Sequence, residues 1–331
     1  MSQSRSKENV SWDQIWSKLQ PLAGELEVMR QDQLQKLRDF AKKISLTVLV
    51  ISAIGMLMLI SDDLQVFGMV VIAASMVIGC LVYHFSRGGH KSDFVLRYKS
   101  QLMRGLVKSL EPQMDYHPTA GISRSEYNSY GLYKTRPDRY HSEDLFIGSI
   151  GGTELKFAEV HAEVKRTRRD SQGRTSTYWV TIFKGVILQA DFHKEFYSWT
   201  TVMPDVAEKS FGWFGRKFQS LGGNLVRLEC PEFERDFVVR SGDQIEARYI
   251  LTPDMQERLL KLHRRFGAQS RFVFSGSKLM MSLPVSGNLF EPKYDSAANC
   301  QNQLKRITHE MQGLFSIVES LNLNTRIWSK Q

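Results

Sequence analysis

Two groups of carboxylates stand close enough in the chain to do acid–base chemistry or to hold a cation. Glu229, Glu232, Glu234 and Asp236 crowd one short stretch, and Glu246 lies two residues from Arg248. Carboxylates act as general acid and base when their surroundings separate their pKa values, and they ligate hard cations through oxygen. Residues two apart on a strand project from one face, so Glu246 and Arg248 read as an ion pair, and Glu229–Asp236 as a solvated turn. The eight histidines, His84, His90, His117, His141, His161, His193, His263 and His309, show no metal-ligand spacing, and neither CxxC nor HExxH occurs. Gly148-Ser149-Ile150-Gly151-Gly152 lacks the Lys-Ser/Thr that a phosphate loop needs and reads as a turn between strands. No catalytic, cofactor-binding or metal-ligating residue is assigned, and no cofactor is expected.

Basic and aromatic residues carry more information. Phe211-Gly212-Trp213-Phe214-Gly215-Arg216-Lys217-Phe218 sets four aromatics and two cations beside flexible glycines. Trp213, Phe214, Arg216 and Lys217 would suit contact with a headgroup layer or a partner's pocket, the alternative being a loop folded onto the core. Lys165, Arg166, Arg168 and Arg169, with Arg174, form a basic hairpin tip. That tip could grip phosphates of lipid or nucleic acid, or be a solvated hairpin end.

These residues must be positioned by elements of two kinds. Ile44–Ile60 and Leu64–Phe85 are apolar runs whose only charges are Asp62 and Asp63 at the break. A hydrocarbon core about 30 Å thick needs some 17–25 apolar residues at a rise of about 1.5 Å each, so both runs reach membrane length. The short break makes them an antiparallel hairpin. Gly55, Ser75 and Gly79 offer surfaces for close helix approach. Lys and Arg are dense before the first run and after the second and absent from the loop, which predicts that both termini face the cytoplasm.

Composition bounds the remainder. Of a net charge of +9, most resides in residues 86–331, with 36 Lys+Arg against 27 Asp+Glu. Beside an anionic leaflet such a basic portion is explained more simply by lipid than by nucleic acid, each surface cation contributing about 1 kcal/mol. Cys80, Cys230 and Cys300 are too few and too scattered for a disulfide framework, which fits a reducing compartment.

Taken in order, residues 1–43 form an amphipathic leader. Ser11 can cap a helix with Trp12, Ile15, Trp16 and Leu19 on one stripe, Pro21 interrupts, and a second periodic segment leads into the hairpin at 44–85. The leader can lie on the inner leaflet or pack on the protein itself. Residues 86–143 read as a basic juxtamembrane helix, Phe94–Leu110, separated from the second span by Arg87-Gly88-Gly89, and a tyrosine-rich connector. Residues 144–331 alternate like strands at Asp144–Gly148, Glu154–Val164, Tyr178–Gln189, Leu225–Glu229, Phe233–Arg240 and Gln244–Ile250. Thr252-Pro253-Asp254 starts a helix with Met255, Leu259, Leu262 and Phe266 on its buried stripe. Strands at Arg271–Ser275 and Lys278–Leu283 turn at Gly276. A final helix over Ser296–Leu323 carries the seam Ala297, Cys300, Leu304, Ile307, Met311, Leu314, Val318 and Leu321. Phe315 and Ile317 widen that seam, which favours packing on the chain's own domain over self-association into a homo-oligomer. The fold class is α+β: an N-terminal transmembrane helical hairpin, then a mainly antiparallel-sheet cytoplasmic domain with a long C-terminal helix.

The run LECPEFERDFVVRSGDQIEARYILTP (Leu228–Pro253), FKGVILQADFHKEF (Phe183–Phe196) and LFEP (Leu289–Pro292) resemble a bacterial family of membrane proteins with two transmembrane helices and a soluble domain of unknown function. The resemblance covers about residues 143–295. It implies the bacterial inner membrane and brings no activity and no catalytic residue. The expected function is a membrane-anchored cytoplasmic interaction or regulatory module with a protein partner as well as the membrane. The alternative is a membrane-tethered enzyme acting on a lipid or an anionic metabolite.

Overall fold

The computed structural model describes residues 12–205, 224–267, 269–321 and 323, without the side chain of His193. The chain forms two compact units, one of residues up to Leu106 with Glu291–Leu304, the other of Val107–Phe290 with Lys305 onward.

The first unit is helical. Helix α1, Trp12–Met58, buries Ile15, Leu19, Ala23, Leu26, Arg30, Gln33 and Leu37 at helical spacing. It runs unbroken through Pro21, where an interruption was expected. Proline's fixed φ is helical, and its cost, a lost hydrogen bond and crowding of the Ser17 carbonyl worth about 3 kcal/mol, is outweighed by the stripe buried on both sides of it. That burial favours packing on the protein over an interfacial helix. After a short turn, α2 spans Gln65–Arg97, passes through Gly88-Gly89 without the expected break, and continues into a π-helical stretch, Tyr98–Met103, and α3, Arg104–Leu110. Each glycine costs a helix only about 1 kcal/mol, and the buried Phe94, Tyr98 and Leu102 hold the register.

The apolar halves of α1 and α2 meet through small residues. A Cβ on Gly55 would lie 3.0 Å from Gly68 O and 2.8 Å from Ile72 Cγ1, and one on Gly79 would lie 2.7 Å from Val48 Cγ2. Ser52 Oγ and Ser75 Oγ are 3.2 Å apart across the seam. The expected close approach at Gly55, Ser75 and Gly79 is therefore present. Outside the seam the helices are bare: only 6% and 17% of their most apolar stretches are buried, and Leu46, Leu57, Val66, Phe67 and Ile78 are exposed. The core helices of a water-soluble protein would be covered.

A buried ion pair straps Glu291–Leu304 to this unit. Arg30 donates to both Glu27 oxygens at 2.9 and 2.7 Å and to the Tyr294 carbonyl at 3.2 Å, while Ala298 N donates to Glu27 at 2.6 Å. The Arg30 hydrogen bonds, with the Ala298 amide, hold the Glu27 carboxyl well below its usual range, at about 2, against the opposing effect of burial.

The second unit is a seven-stranded antiparallel sheet in the order β1-β2-β3-β4-β6-β5, with β7 also on β4. The strands are β1 Met114–His117, β2 Arg139–Ile150, β3 Thr153–Arg169, β4 Thr175–Pro204, β5 Asn224–Val226, β6 Phe237–Ser241 and β7 Arg271–Pro284. Residues 113–143, expected as a connector, supply β1 and α4, Arg124–Ser129. Their Tyr127, Tyr130 and Leu132 pack with Ala158, Val160, Phe183 and Ile187 as the core on one sheet face. Burial raises the phenol pKa values of Tyr127 and Tyr130, and pushes Tyr140 up to about 12. Tyr116 donates to the buried Asp144, whose left-handed φ of 57° sits at the β2 bulge.

Three strand expectations change. Asp243 Oδ1 accepts from Ile245 N at 2.8 Å and Glu246 N at 3.3 Å, capping a helix, α6 Gln244–Ile250, where a strand was expected. Pro231 at the first position starts a further helix, α5 Pro231–Asp236, so the expected strand shortens to β6. β7 is one strand and not two, because both of its halves pair with β4, which bulges between Asp191 and Thr200 around Gly276, φ 62°, paired with Phe196. Thr252 Oγ1 caps α7, Pro253–Phe266, as expected, with Met255, Leu259 and Leu262 buried and Phe266 only half-buried. Helix α8, Gln301–Ser320, starts later than predicted and buries Leu304, Ile307, Met311, Leu314, Val318 and Leu321. Phe315 meets the rings of Phe146 and Phe157 at 6.3 and 6.0 Å, so α8 packs on the sheet.

Two outcomes test this packing. Glu27→Gln should release the Ala298 amide to faster hydrogen exchange. In the parent the Glu27 contribution, on the order of 3 kcal/mol, is full above pH about 4.5 and disappears as pH falls toward 2; in the variant that dependence should vanish. Ile307→Asp with Met311→Asp should unfold the sheet unit, read by circular dichroism, since unpaired buried charge costs several kcal/mol; a folded protein that only dissociates would point to an intermolecular seam.

Candidate functional site

The basic tip is a two-stranded ribbon. β2 ends at Arg139 opposite Glu163, and β7 ends at Pro284 opposite Gly185, so beyond these points β3 and β4 have only each other. Lys165 pairs with Trp179, Arg166 with Tyr178, Arg168 with Ser176 and Arg169 with Thr175. Directly opposed residues share a face, so Lys165 and Arg169 lie with Trp179 on one side, and Arg166 and Arg168 with Tyr178 on the other. Every residue from Lys165 to Thr181 is exposed. The turn is built by Asp170, whose Oδ1 accepts from Gln172 N at 2.9 Å and Arg174 N at 2.8 Å, while Gly173 supplies φ 77°. Asp170 is the only carboxylate between Lys165 and Thr181, and its Oδ1 is committed to the turn. At the base, Arg139 stacks over Trp179 at 4.0 Å and pairs with Glu163 at 3.2 Å. The ribbon thus collects the expected Lys165, Arg166, Arg168 and Arg169, with Arg174, into one exposed cationic arm. Trp213, Phe214, Arg216 and Lys217 lie outside the described residues.

The sequence-adjacent carboxylates do not converge. Glu246 reaches away from Arg248 and accepts from Tyr197 N and Ser198 N, both at 2.8 Å. Two positions apart on a helix is about 200° of rotation, so the ion pair expected of a strand cannot form between them. Arg248 instead approaches the Gln244 carbonyl at 3.4 Å. Glu234 bonds Arg227 and the Leu228 amide, both at 2.9 Å; Asp236 pairs with Arg235 at 3.0 Å and Glu232 with Arg264. The expected solvated turn is thus the short helix α5 with its acids paired.

The register makes a polar cleft that the linear sequence conceals. His141 lies opposite His161, and His161 opposite Lys184; two residues along, on the same face, Glu143 lies opposite Glu159. With Gly185, Val285, Asn288 and Leu289 they line a cleft of about 300 Å³. Glu159 Oε1 accepts from Leu289 N at 2.7 Å and fixes the loop after β7; Glu143 stands 3.6 Å from His141. The mixed charges compensate one another. Among the described residues no three His, Cys, Asp or Glu are placed to hold a metal ion. Period-two spacing of His141 with Glu143 and of Glu159 with His161 was the available signal, but it could not show that these strands are neighbours.

Residues 181–323 match the family described as Protein of unknown function (DUF3137). The match begins in β4 at the base of the ribbon, runs past the end of α8 and leaves α1, α2 and β1–β3 outside, so it begins and ends later than the expected 143–295. The crystal structure of the mycobacterial trehalose monomycolate transport factor A, TtfA, aligns over 68% of this chain and 93% of that one at 10% identity and a TM-score of 0.32, too low to carry an argument. No curated protein matches the chain.

Removing Glu246 should therefore cost stability. Glu246→Ala removes two charge-assisted hydrogen bonds at a partly exposed site and should destabilise the sheet unit by about 1 kcal/mol in chemical denaturation. Arg248→Ala should shift it by less than about 0.5 kcal/mol. Equal effects of the two would mean that they act as a pair after all.

Proposed function

We propose that the chain is a membrane-anchored protein whose α+β unit is an interaction or regulatory module on the cytoplasmic side of the bacterial inner membrane. The observation that carries this reading is the bare apolar surface of α1 and α2 beyond a seam of Gly55, Gly68, Ser75 and Gly79. In water that surface would be a severe aggregation liability; in a bilayer it needs no other cover, and only the seam requires helix–helix packing. Arg38, Lys42 and Lys43 before the hairpin, and Arg87 and Lys91 after it, favour cytoplasmic termini by the positive-inside rule. Three free cysteines agree with a reducing side.

A module in place of an enzyme is favoured by the fate of the carboxylates. Glu232, Glu234, Asp236 and Glu246 are occupied by arginines and backbone amides and do not line the His141–His161 cleft.

Membranes of cells expressing the protein should retain it through alkaline carbonate extraction and release it in detergent. A reporter fused after Gln331 should be active only if it is a type that works in the cytoplasm. Release by carbonate would refute the anchor; activity of a periplasmic-type reporter would refute the orientation.

A further inference from the structure

We propose that the Lys165–Arg169 edge of the β3–β4 ribbon binds the phosphate headgroups of anionic phospholipids, making a second, electrostatic attachment to the membrane; this rests on the anchor reading above. The ribbon is chemically divided along its length. The β3 arm carries Lys165, Arg166, Arg168 and Arg169, whereas the β4 arm from Thr175 to Thr181 is uncharged, with Thr175, Ser176, Thr177, Tyr178 and Trp179. Cations at successive positions alternate between the two faces, so together they surround one edge of a thin ribbon and leave no single concave face for a folded ligand. An edge of this kind suits a layer of phosphates. The half-exposed Tyr178 and Trp179 behind it are the residue types that favour the headgroup zone.

Charge placed on a free strand edge also deters pairing with other strands. Yet one or two cations serve that purpose, and here four of five consecutive residues are basic, while Asp170 is tied into the turn, Asp138 at the base accepts from the Lys165 amide at 2.8 Å and Glu163 pairs with Arg139. Nucleic acid offers the same phosphate chemistry. Lipid is favoured because the ribbon belongs to the same polypeptide as the membrane-length hairpin. Tethering holds it at high effective headgroup concentration, where several weak charge contacts suffice.

The test uses the full chain in nanodiscs of phosphatidylcholine alone or mixed equally with phosphatidylglycerol, with hydrogen exchange read across residues 163–181. The expected result is exchange slowed about tenfold in the anionic discs only, with protection lost in high salt and in Lys165→Gln/Arg166→Gln/Arg168→Gln/Arg169→Gln. These side chains are exposed, so the variant should melt as the parent does; the salt arm, which needs no variant, holds even if it does not. Equal exchange in both discs would overturn the proposal, as would protection that ignores salt. Protection by an added RNA or DNA oligonucleotide in zwitterionic discs, with none from anionic lipid, would assign the arm to nucleic acid. A chain that fails to enter discs refutes the anchor itself, whereas one that enters with an unprotected ribbon refutes this inference alone.

Discussion

The sheet unit depends on the backbone ladder of β4. This strand of 30 residues pairs with β3 on one side and β7 on the other, then exchanges β3 for β6 beyond its irregular middle. β2 attaches through β3 and β5 through β6. Every buried amide in such a sheet must find a carbonyl, so the register of one strand propagates to all. The same ladder explains the ribbon, since β3 and β4 pair with each other beyond the points where β2 and β7 end.

The helical unit obeys a different rule. Between α1 and α2 the seam is made of glycines and serines, because helices that need no hydrophobic drive to associate gain instead from close backbone approach. Nearer the polar end, where Leu26 and Leu37 are buried, the packing is of the ordinary aliphatic kind. There the Glu27–Arg30 pair is satisfied by the Tyr294 carbonyl and the Ala298 amide, as a buried charge pair must be to avoid a net penalty.

Charge pairing separates architecture from candidate function. The acids of α5 and α6 are engaged in holding local structure, with Glu246 bridging two amides of β4 from α6. The cations of the ribbon, by contrast, surround an edge with almost no counter-charge.

How much was legible in sequence follows from the range of the interactions concerned. The hairpin, the cap at Thr252, the α8 seam and the β3–β4 hairpin were all readable, because apolar run length, side-chain periodicity and capping are decided within a few residues. Asp243-Gln244-Ile245-Glu246 carried the capping signal of a helix and also the alternation of a strand, and local pattern alone could not choose between them. Tertiary structure chose, by bringing Tyr197 and Ser198 within reach of Glu246. It likewise ran α1 through Pro21, joined the two halves of β7 on one partner, and set His141 beside His161, residues twenty apart that meet only through inter-strand hydrogen bonds. The sequence by itself determined which segments are apolar enough for lipid and where the β3–β4 hairpin and the capped helix at Thr252 lie. Which side chains face one another was decided by register, a long-range property of backbone pairing that no single segment encodes.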